Sequence, residues 1–258
     1  MKILGDRLGG IAWVTAGLIA LVAFVIGFMW LPSLQRTAQG GLWGDICRAL
    51  GIYQAGRPVL STTASEIPSA VVWNVATLQA VTKGDAKHGS TLAAGCAGCH
   101  GAKGVSPGDA FPNLAGLSAD AVYKQLDDYR SGKRQNAIMQ AMAAPLSDQD
   151  IADVAAHFAS LSPAAAAPGK PMPSLVDKGA PMRSIAPCAA CHGPMGRKHG
   201  APELTGQKAA YLKAQLEAFG TGTRHNDINQ QMREIAHALS PADRDALSGW
   251  YGEAPSPQ

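Results

Sequence analysis

Residues 95–101, GCAGCHG, contain two cysteines separated by two residues and followed directly by a histidine. The pattern returns in residues 187–193 as PCAACHG, and aligning the two copies brings further residues into register. The matched pairs run in chain order: PNLAG at 112–116 with PELTG at 202–206, Gln125 with Gln215, Tyr129 with Phe219, Arg134 with Arg224, Asn136 with Asn226, Met139 with Met232, and Ser147 with Ser240. So many ordered coincidences indicate that the chain duplicates one structural unit.

The C-x-x-C-H motif is the attachment pattern of c-type haem: two thiols form thioethers to the porphyrin, and the adjacent histidine ligates the iron. A zinc ribbon needs two cysteine pairs in one compact fold, whereas here each pair lies in its own repeat. A thioredoxin-like redox pair needs a βαβ setting that is absent, and a structural disulfide is the remaining alternative. The duplication favours two haem c groups, held by Cys96, Cys99 and His100 in the first repeat and by Cys188, Cys191 and His192 in the second.

Methionines supply the sixth ligand in this interpretation. Met139 follows His100 by 39 residues, and Met232 follows His192 by 40. Thioether ligation raises the reduction potential of the haem and fills the coordination sphere of its iron. This suits electron transfer and hinders binding of small molecules. Met142 competes with Met139 but is expected to fill the core. For the second haem the rivals of Met232 are His225 and His237.

The other histidines are not expected to be ligands. His157 lies beside Phe158 on a predicted helix and is interpreted as packing or surface, and His88 and His199 lie in polar, glycine-rich surroundings and are expected to be solvated. Four aromatic residues on apolar faces are expected to form the walls of the haem pockets: Tyr129, Phe219, Trp250 and Tyr251.

Cys47 is left over once four cysteines are assigned to haem. An odd thiol in an exported protein can pair between chains, stay buried or act as a ligand. A buried thiol near the membrane is the simplest of these interpretations.

Composition limits the fold and the function classes. The 258 residues suffice for about two domains, and plentiful alanine, glycine and proline favour an all-α fold with long loops. The net charge of +3 gives no surface basic enough for nucleic acid. No residues are arranged as acid, base or nucleophile, so no small-molecule substrate is expected.

Helix signals fall at matching places in the two repeats. A helix is predicted from Ser118 to about Tyr129, with Val122, Leu126 and Tyr129 on one face. Ser147 with Asp150 predicts a capped helix whose buried stripe includes Phe158. Ser240 and Pro241 predict the same start in the second repeat.

Five segments are predicted: an anchor over 1–31, a stalk over 32–81, one domain over 82–162, a Pro/Ala-rich linker over 163–173, and a second domain over 174–258. The predicted fold class is therefore all-α, with two tandem helical domains preceded by a single transmembrane helix.

Residues 11–31 (IAWVTAGLIALVAFVIGFMWL) are apolar, and no charged residue occurs between Arg7 and Arg36. Roughly 20 such residues suffice for a helix to cross the hydrocarbon core. A cleaved secretory signal is the alternative, but the run is long and no small-x-small cleavage site follows. Lys2 and Arg7 precede the span, which predicts a single-pass protein of the bacterial cytoplasmic membrane with its haem domains in the periplasm.

The region from about Thr82 to Tyr251 resembles the dihaem cytochrome c4 family, and the resemblance implies that the two domains are tandem class I cytochrome c domains. The motifs that carry the resemblance are CAGCHGAKG (96–104), FPNLAG (111–116), CAACHGPMG (188–196), PELTG (202–206) and the helical segments that follow them. The resemblance implies axial Met139 and Met232, and domains packed face to face so that electrons pass between haem propionate edges. It also implies electron transport in the periplasm towards terminal oxidases. The N-terminal extension departs from the family pattern and raises the chance of a resident place in a complex.

Three functions fit the sequence. The first is a membrane-anchored dihaem electron carrier between a quinol-oxidising complex or a dehydrogenase and a terminal oxidase. The second is an enzyme, either thiosulfate-oxidising with a cysteine on one iron or a dihaem peroxidase. Only Cys47 supports the thiosulfate-oxidising form, and its sequence distance from Cys96 and the presence of Met139 argue against it. The third is a cytochrome subunit of a larger membrane oxidoreductase, with the same site chemistry as the first.

Overall fold

The computed structural model describes residues 2–30, 68–165, 171–193 and 198–252. The chain divides into two compact units, Met1–Ser65 and Glu66–Gln258. Both C-x-x-C-H motifs lie in the second unit. Two isolated β-bridges, Ala180 with Ile185 and Gln207 with Gly252, accompany the helices of that unit.

The first unit contains helix α1 (Lys2–Phe24), which continues into a π-helical segment, Val25–Trp30. The side chains of residues 13–27 are exposed. Among the described residues, no helix combines the length and apolar character needed to span a membrane. The transmembrane helix predicted over 11–31 is therefore not found there.

The first repeat is built from six α-helices and a 3-10 turn: α2 (Val75–Thr82), α3 (Ala86–Leu92), the turn (Ala93–Cys96), α4 (Ala97–His100), α5 (Ala119–Arg130), α6 (Ala137–Ala143) and α7 (Asp148–Ser160). Helices α5 and α7 pack together, and the predicted apolar faces, with Leu126 on one helix and Phe158 on the other, are buried in one cluster. Ser147 and Asp150 form a full capping box at the start of α7, as predicted.

The second repeat follows the same plan with shorter elements: α8 (Ser174–Asp177), a 3-10 turn (Pro181–Arg183), α9 (Ala189–His192), α10 (Ala209–Thr221), a 3-10 turn (Ile228–Gln230), α11 (Gln231–Ala238) and α12 (Pro241–Tyr251). Leu212 of α10 and Leu247 of α12 belong to its buried cluster. Ser240 caps α12 with Asp243 as partner, and Pro241 is its first residue. The predicted mostly helical, tandem architecture is confirmed.

Residues 68–82 pack on the first repeat. Val71 and Val81 are buried in its apolar cluster, and the Ser69 hydroxyl donates a hydrogen bond of 2.6 Å to Asp128 of α5. The predicted stalk over 32–81 thus includes, at its C-terminal end, residues that belong to the core of the first repeat. Residues 31–67 lie outside the described part of the chain.

The two repeats contact each other through the loops that follow their haem motifs and through the first turn of α5. The Asn113 amide nitrogen donates to the Gln207 side chain (2.7 Å), and the Gln207 side-chain nitrogen donates back to the Asn113 carbonyl (2.8 Å). At a second contact the Asp120 carboxylate accepts from the Gly200 amide and lies 3.1 Å from His199 Nδ1. These polar contacts fix the loops of the two repeats against each other.

Asp128 forms the buried centre of the interface between the repeats. Its carboxylate is inaccessible to solvent, forms an ion pair with Lys124 and accepts a hydrogen bond of 2.7 Å from the Asn226 side chain of the second repeat. Lys124 donates in turn to the Asn226 carbonyl oxygen (2.7 Å). A buried ammonium without its carboxylate would retain the full cost of leaving water.

We therefore expect Asp128→Ala to lower the free energy of unfolding by about 3 to 5 kcal/mol, because it leaves Lys124 buried and unpaired. Asp245→Ala, which removes the exposed ion pair with Lys213, is the matched control and is expected to leave that free energy nearly unchanged. Urea unfolding of the two haem-loaded variants measures both. Equal, small decreases in the free energy of unfolding of the two variants would contradict a stabilising role for the contacts of Asp128.

Candidate haem sites

The first C-x-x-C-H motif lies on a tight helical bend. Cys96 ends the 3-10 turn, and Cys99 and His100 lie on α4, so one short helical segment presents all three side chains. Both thiols are free and partly buried, as thioether formation requires. His100 is buried, with 6 % of its surface exposed.

A backbone carbonyl fixes the orientation of His100. Its Nδ1 lies 2.8 Å from the Pro112 carbonyl oxygen, which can only accept, so Nδ1 carries the proton and Nε2 is the nitrogen left for a metal. Burial lowers the pKa of His100, although the hydrogen bond to Pro112 raises it. The neutral form that a ligand must have is therefore favoured.

The second motif repeats this arrangement. Cys188 precedes α9, which carries Cys191 and His192. His192 Nδ1 donates to the Pro202 carbonyl oxygen at the same distance of 2.8 Å, and burial lowers the pKa of His192. Both repeats thus present one imidazole in the same tautomer.

The loops that supply these carbonyls are anchored in equivalent ways. The Gly116 amide donates to the Phe158 carbonyl, and the Gly206 amide donates to the Tyr251 carbonyl, both at 2.9 Å. Both glycines have left-handed backbone, with φ of 75° and 78°. A Cβ at Gly206 would lie 2.2 Å from the Ala164 carbonyl oxygen, so glycine is required there. The last helix of each repeat thereby holds the loop that orients the histidine.

The two predicted methionine ligands occupy matching places. Met139 lies in the first turn of α6, where the Asn136 side chain caps the helix by accepting a hydrogen bond of 3.0 Å from the Met139 amide. Met232 is the second residue of α11, and the chain enters that helix through Asn229 and Gln230, both with left-handed backbone. Both methionine side chains are partly buried. Their ligation of iron stays a prediction.

The rivals of these methionines are more exposed or differently placed. Met142 is 42 % exposed in this structure, and its role as core filler stays a prediction. The seven-residue helix α6 directs it towards Gly95, where an added Cβ would lie 3.6 Å from the Met142 methyl carbon. His237 is exposed and His225 partly buried.

Two histidines expected to be solvated have carboxylate partners. His88 Nδ1 lies 2.7 Å from Asp153, and His199 Nδ1 lies 3.1 Å from Asp120, although more than half of each histidine side chain is exposed. His157 packs on the Phe158 ring as predicted, with 5.2 Å between ring centroids. Cys47 lies outside the described residues.

The carbonyls of Pro112 and Pro202 are functional groups that the sequence did not single out. Every residue has a carbonyl, so residue type gives no direct signal; only the recurrence of proline at equivalent places in the repeats could have indicated them. With free thiols beside an oriented, neutral imidazole, the residues of each repeat fit one haem c. In the described ranges, no group of three or more histidine, cysteine, aspartate or glutamate side chains is placed to hold another metal ion.

Comparisons with known proteins agree with this geometry. The family profile described as Cytochrome c matches residues 86–162 and 177–250. The chain is 46 % identical over 167 residues to the thiosulfate dehydrogenase electron acceptor of Stutzerimonas stutzeri, covering 60 % of this chain and 77 % of that protein. It is 40 % identical over 178 residues to cytochrome c4 of Pseudomonas aeruginosa, covering 65 % and 87 %.

A solved structure extends the similarity to three dimensions. Reduced recombinant cytochrome c4 from Pseudomonas stutzeri superposes with a TM-score of 0.60 at 37 % identity, over 67 % of this chain and all of that chain. The similarity therefore includes both repeats and their order. The chain belongs to the cytochrome c family, as a tandem protein of the cytochrome c4 type that carries two haem c groups and transfers electrons rather than acting as an enzyme.

Proposed function

We propose that the protein is a membrane-attached carrier that takes single electrons from a dehydrogenase in the periplasm and delivers them towards a terminal oxidase. The observation that carries the proposal is the pair of equivalent histidine-to-carbonyl hydrogen bonds, both of 2.8 Å, within one packed unit. Two equivalent haem sites in repeats that pack together suit successive one-electron steps. Support for a dehydrogenase donor comes from the relative named as the electron acceptor of thiosulfate dehydrogenase.

The proposed ligand set is the same in each repeat: two thioether cysteines, one histidine and one methionine. A haem ligated in this way exchanges one electron at a raised potential and offers no open coordination position. The chain's own residues orient the imidazole, bury it and hold the two repeats together. The proposed residues are Cys96, Cys99, His100 and Met139 for the first haem, and Cys188, Cys191, His192 and Met232 for the second.

A direct test of the donor is reduction of the oxidised full-length protein by thiosulfate and catalytic amounts of a purified thiosulfate dehydrogenase. We expect the reduced haem band to develop fully when both are present, at a rate proportional to the enzyme concentration. Thiosulfate alone is the control and should reduce neither haem. Haems that stay oxidised while the same enzyme reduces a small-molecule acceptor would contradict this donor.

Attachment to the cytoplasmic membrane is the second part of the proposal. It is supported by the charge-free run 8–35 and by exposed apolar side chains such as Trp13 (81 %) and Ile19 (70 %). Large exposed apolar surfaces require a partner, and lipid or another membrane subunit would both satisfy this helix.

Cell fractionation tests the attachment. The full chain is expected in the membrane pellet after an alkaline carbonate wash, and a variant with a cleavable secretory leader in place of residues 1–31 is expected in the periplasmic extract. Recovery of the full chain in the soluble extract would contradict attachment. Stoichiometric partners that co-purify from detergent-solubilised membranes would instead assign the protein to a larger oxidoreductase as its cytochrome subunit.

A further inference from the structure

One peptide group of the first repeat joins the histidine of its haem motif to the second repeat. The Pro112 carbonyl oxygen of this group accepts the hydrogen bond from His100 Nδ1 at 2.8 Å. The N–H of the same group belongs to Asn113 and donates to the Gln207 side-chain oxygen at 2.7 Å. Hydrogen bonds therefore connect His100, through a single peptide group, to a side chain of the other repeat.

The surroundings of this peptide group hold it in place. The Asn113 side-chain oxygen accepts from the Ser106 amide at 2.8 Å, and its side-chain nitrogen donates to the Gly206 carbonyl at 2.9 Å. The Gln207 side-chain oxygen also accepts from the Lys208 amide at 2.9 Å, which fixes its direction. Asn113 and Gln207 are both buried, and hydrogen bonds away from water are electrostatically stronger.

A hydrogen bond at one end of a peptide group strengthens the bond at its other end. When the N–H donates, the group is polarised and its carbonyl oxygen becomes a better acceptor. The Pro112 carbonyl should therefore accept more strongly from His100 than it would without Gln207. A stronger bond at Nδ1 makes the imidazole a more basic metal ligand at Nε2. A more basic ligand favours the oxidised iron, which carries one more positive charge.

The equivalent side chain of the first repeat cannot return this bond. In the alignment of the two repeats, Leu117 is the equivalent of Gln207, and a leucine side chain has no hydrogen-bonding atom. Glu203 stands at the place of Asn113, and its carboxylate accepts from amides of its own loop. The duplication thus gave both histidines a carbonyl partner, whereas the acceptor across the interface belongs to His100.

We propose that Gln207 is a positioning residue that lowers the reduction potential of the first haem. It accepts from the Asn113 amide, polarises the Pro112 carbonyl and thereby strengthens the hydrogen bond that His100 donates. The potential of the first haem then depends on the second repeat being packed against the first, because separation of the repeats breaks this bond. The inference rests on the proposed ligation of the first iron by His100.

The test is to measure both reduction potentials of the haem-loaded full-length variant Gln207→Leu in a redox titration followed by NMR, which resolves the two haems. Leucine has a similar volume, changes no charge and removes the acceptor. We expect the equilibrium constant for reducing the first haem to rise about threefold, an increase of about 28 mV for one electron. The second haem is the internal reference and should keep its potential.

The sign of the change separates polarisation from a loosened interface. A loosened interface would admit water to the first haem, and water stabilises the extra positive charge of the oxidised iron, which lowers the potential. Loss of polarisation raises it. Tyr211→Phe is the matched control, because it removes the hydrogen bond of 3.0 Å that Arg134 donates across the interface without changing the charge. Both potentials should stay the same in this variant.

The hydrogen bond of His100 provides a second readout in the reduced, 15N-labelled protein. The Nδ1 proton of His100 should move upfield in Gln207→Leu, because a weaker hydrogen bond shields it more, and that of His192 should not move. In the wild type the His100 proton is expected downfield of the His192 proton. Gln207→Met, which offers only a weak sulfur acceptor, replaces Gln207→Leu if the latter does not retain both haems.

A first-haem potential that is unchanged or lower without the Gln207 acceptor would overturn the proposal. Equal rises at both haems would also overturn it, as would a wild-type His100 proton upfield of the His192 proton. EPR of the wild type tests the ligation by histidine separately. If both histidine–methionine centres are present and the first potential does not respond to Gln207, the electron-carrier function stands and the role of Gln207 fails.

Discussion

Replacing Cys188 and Cys191 together by alanine is expected to yield a protein with one covalently bound haem and an unfolded second repeat. Eight described residues form the buried apolar cluster of that repeat, against thirteen in the first. A domain of this size with a small core depends on its cofactor, since a ligand that binds only the folded state contributes its binding free energy to stability. The first repeat should stay folded on its own larger core.

Haem content per chain and intact mass measure the first part of this prediction, and helical signal during thermal unfolding measures the second. The matched variant replaces Cys96 and Cys99 by alanine. It should also lose one haem, but retain more helix, because Val71 and Val81 extend the core of the first repeat. Two haems per chain in either double variant would contradict the assignment of these cysteines.

Met139→Ala is expected to abolish thioether ligation of the first haem. The equilibrium constant for reducing that haem should fall more than tenfold, so its reduction potential should fall by about 59 mV or more. An open coordination position should result, so carbon monoxide should bind one of the two reduced haems. Met232→Ala should do the same to the second haem alone. Spectroelectrochemical titration, with and without carbon monoxide, measures both effects.

Met142→Ala is the matched control for this experiment. Its side chain lies three residues from Met139 on the same short helix, directed towards Gly95 beside the first haem motif. We expect unchanged potentials and no carbon monoxide binding in this variant. Loss of the thioether signature in Met142→Ala, with Met139→Ala unaffected, would reverse the assignment.

Much of the helical framework could be predicted because its signals are local. Ser147 and Asp150 are three residues apart and form the capping box, and Leu126 and Phe158 belong to apolar stripes with helical spacing. The duplication also allowed the methionine ligands to be predicted, because aligning the repeats places Met139 and Met232 at equivalent positions. Such features depend on a few neighbouring residues and leave a periodic trace in the sequence.

The polar interface between the repeats could not be predicted in this way. Asp128 and Asn226 are 98 positions apart, and Lys124 reaches the Asn226 carbonyl across 102 positions. Lys124 and Asp128 pair within the first repeat, but their hydrogen bonds to Asn226 form only when the two repeats are packed together. The equivalence of Arg134 and Arg224 was visible in the sequence, but their hydrogen bonds to the other repeat depend on how the repeats pack together.

The central claim is that both irons have one histidine and one methionine ligand. Low-temperature EPR of the oxidised full-length protein, with near-infrared magnetic circular dichroism on the same sample, tests it most directly. The account predicts two low-spin histidine–methionine centres, one lost in Met139→Ala and the other in Met232→Ala. A high-spin or thiolate-ligated haem in the wild type would contradict it, with Cys47 as the first candidate for the thiolate.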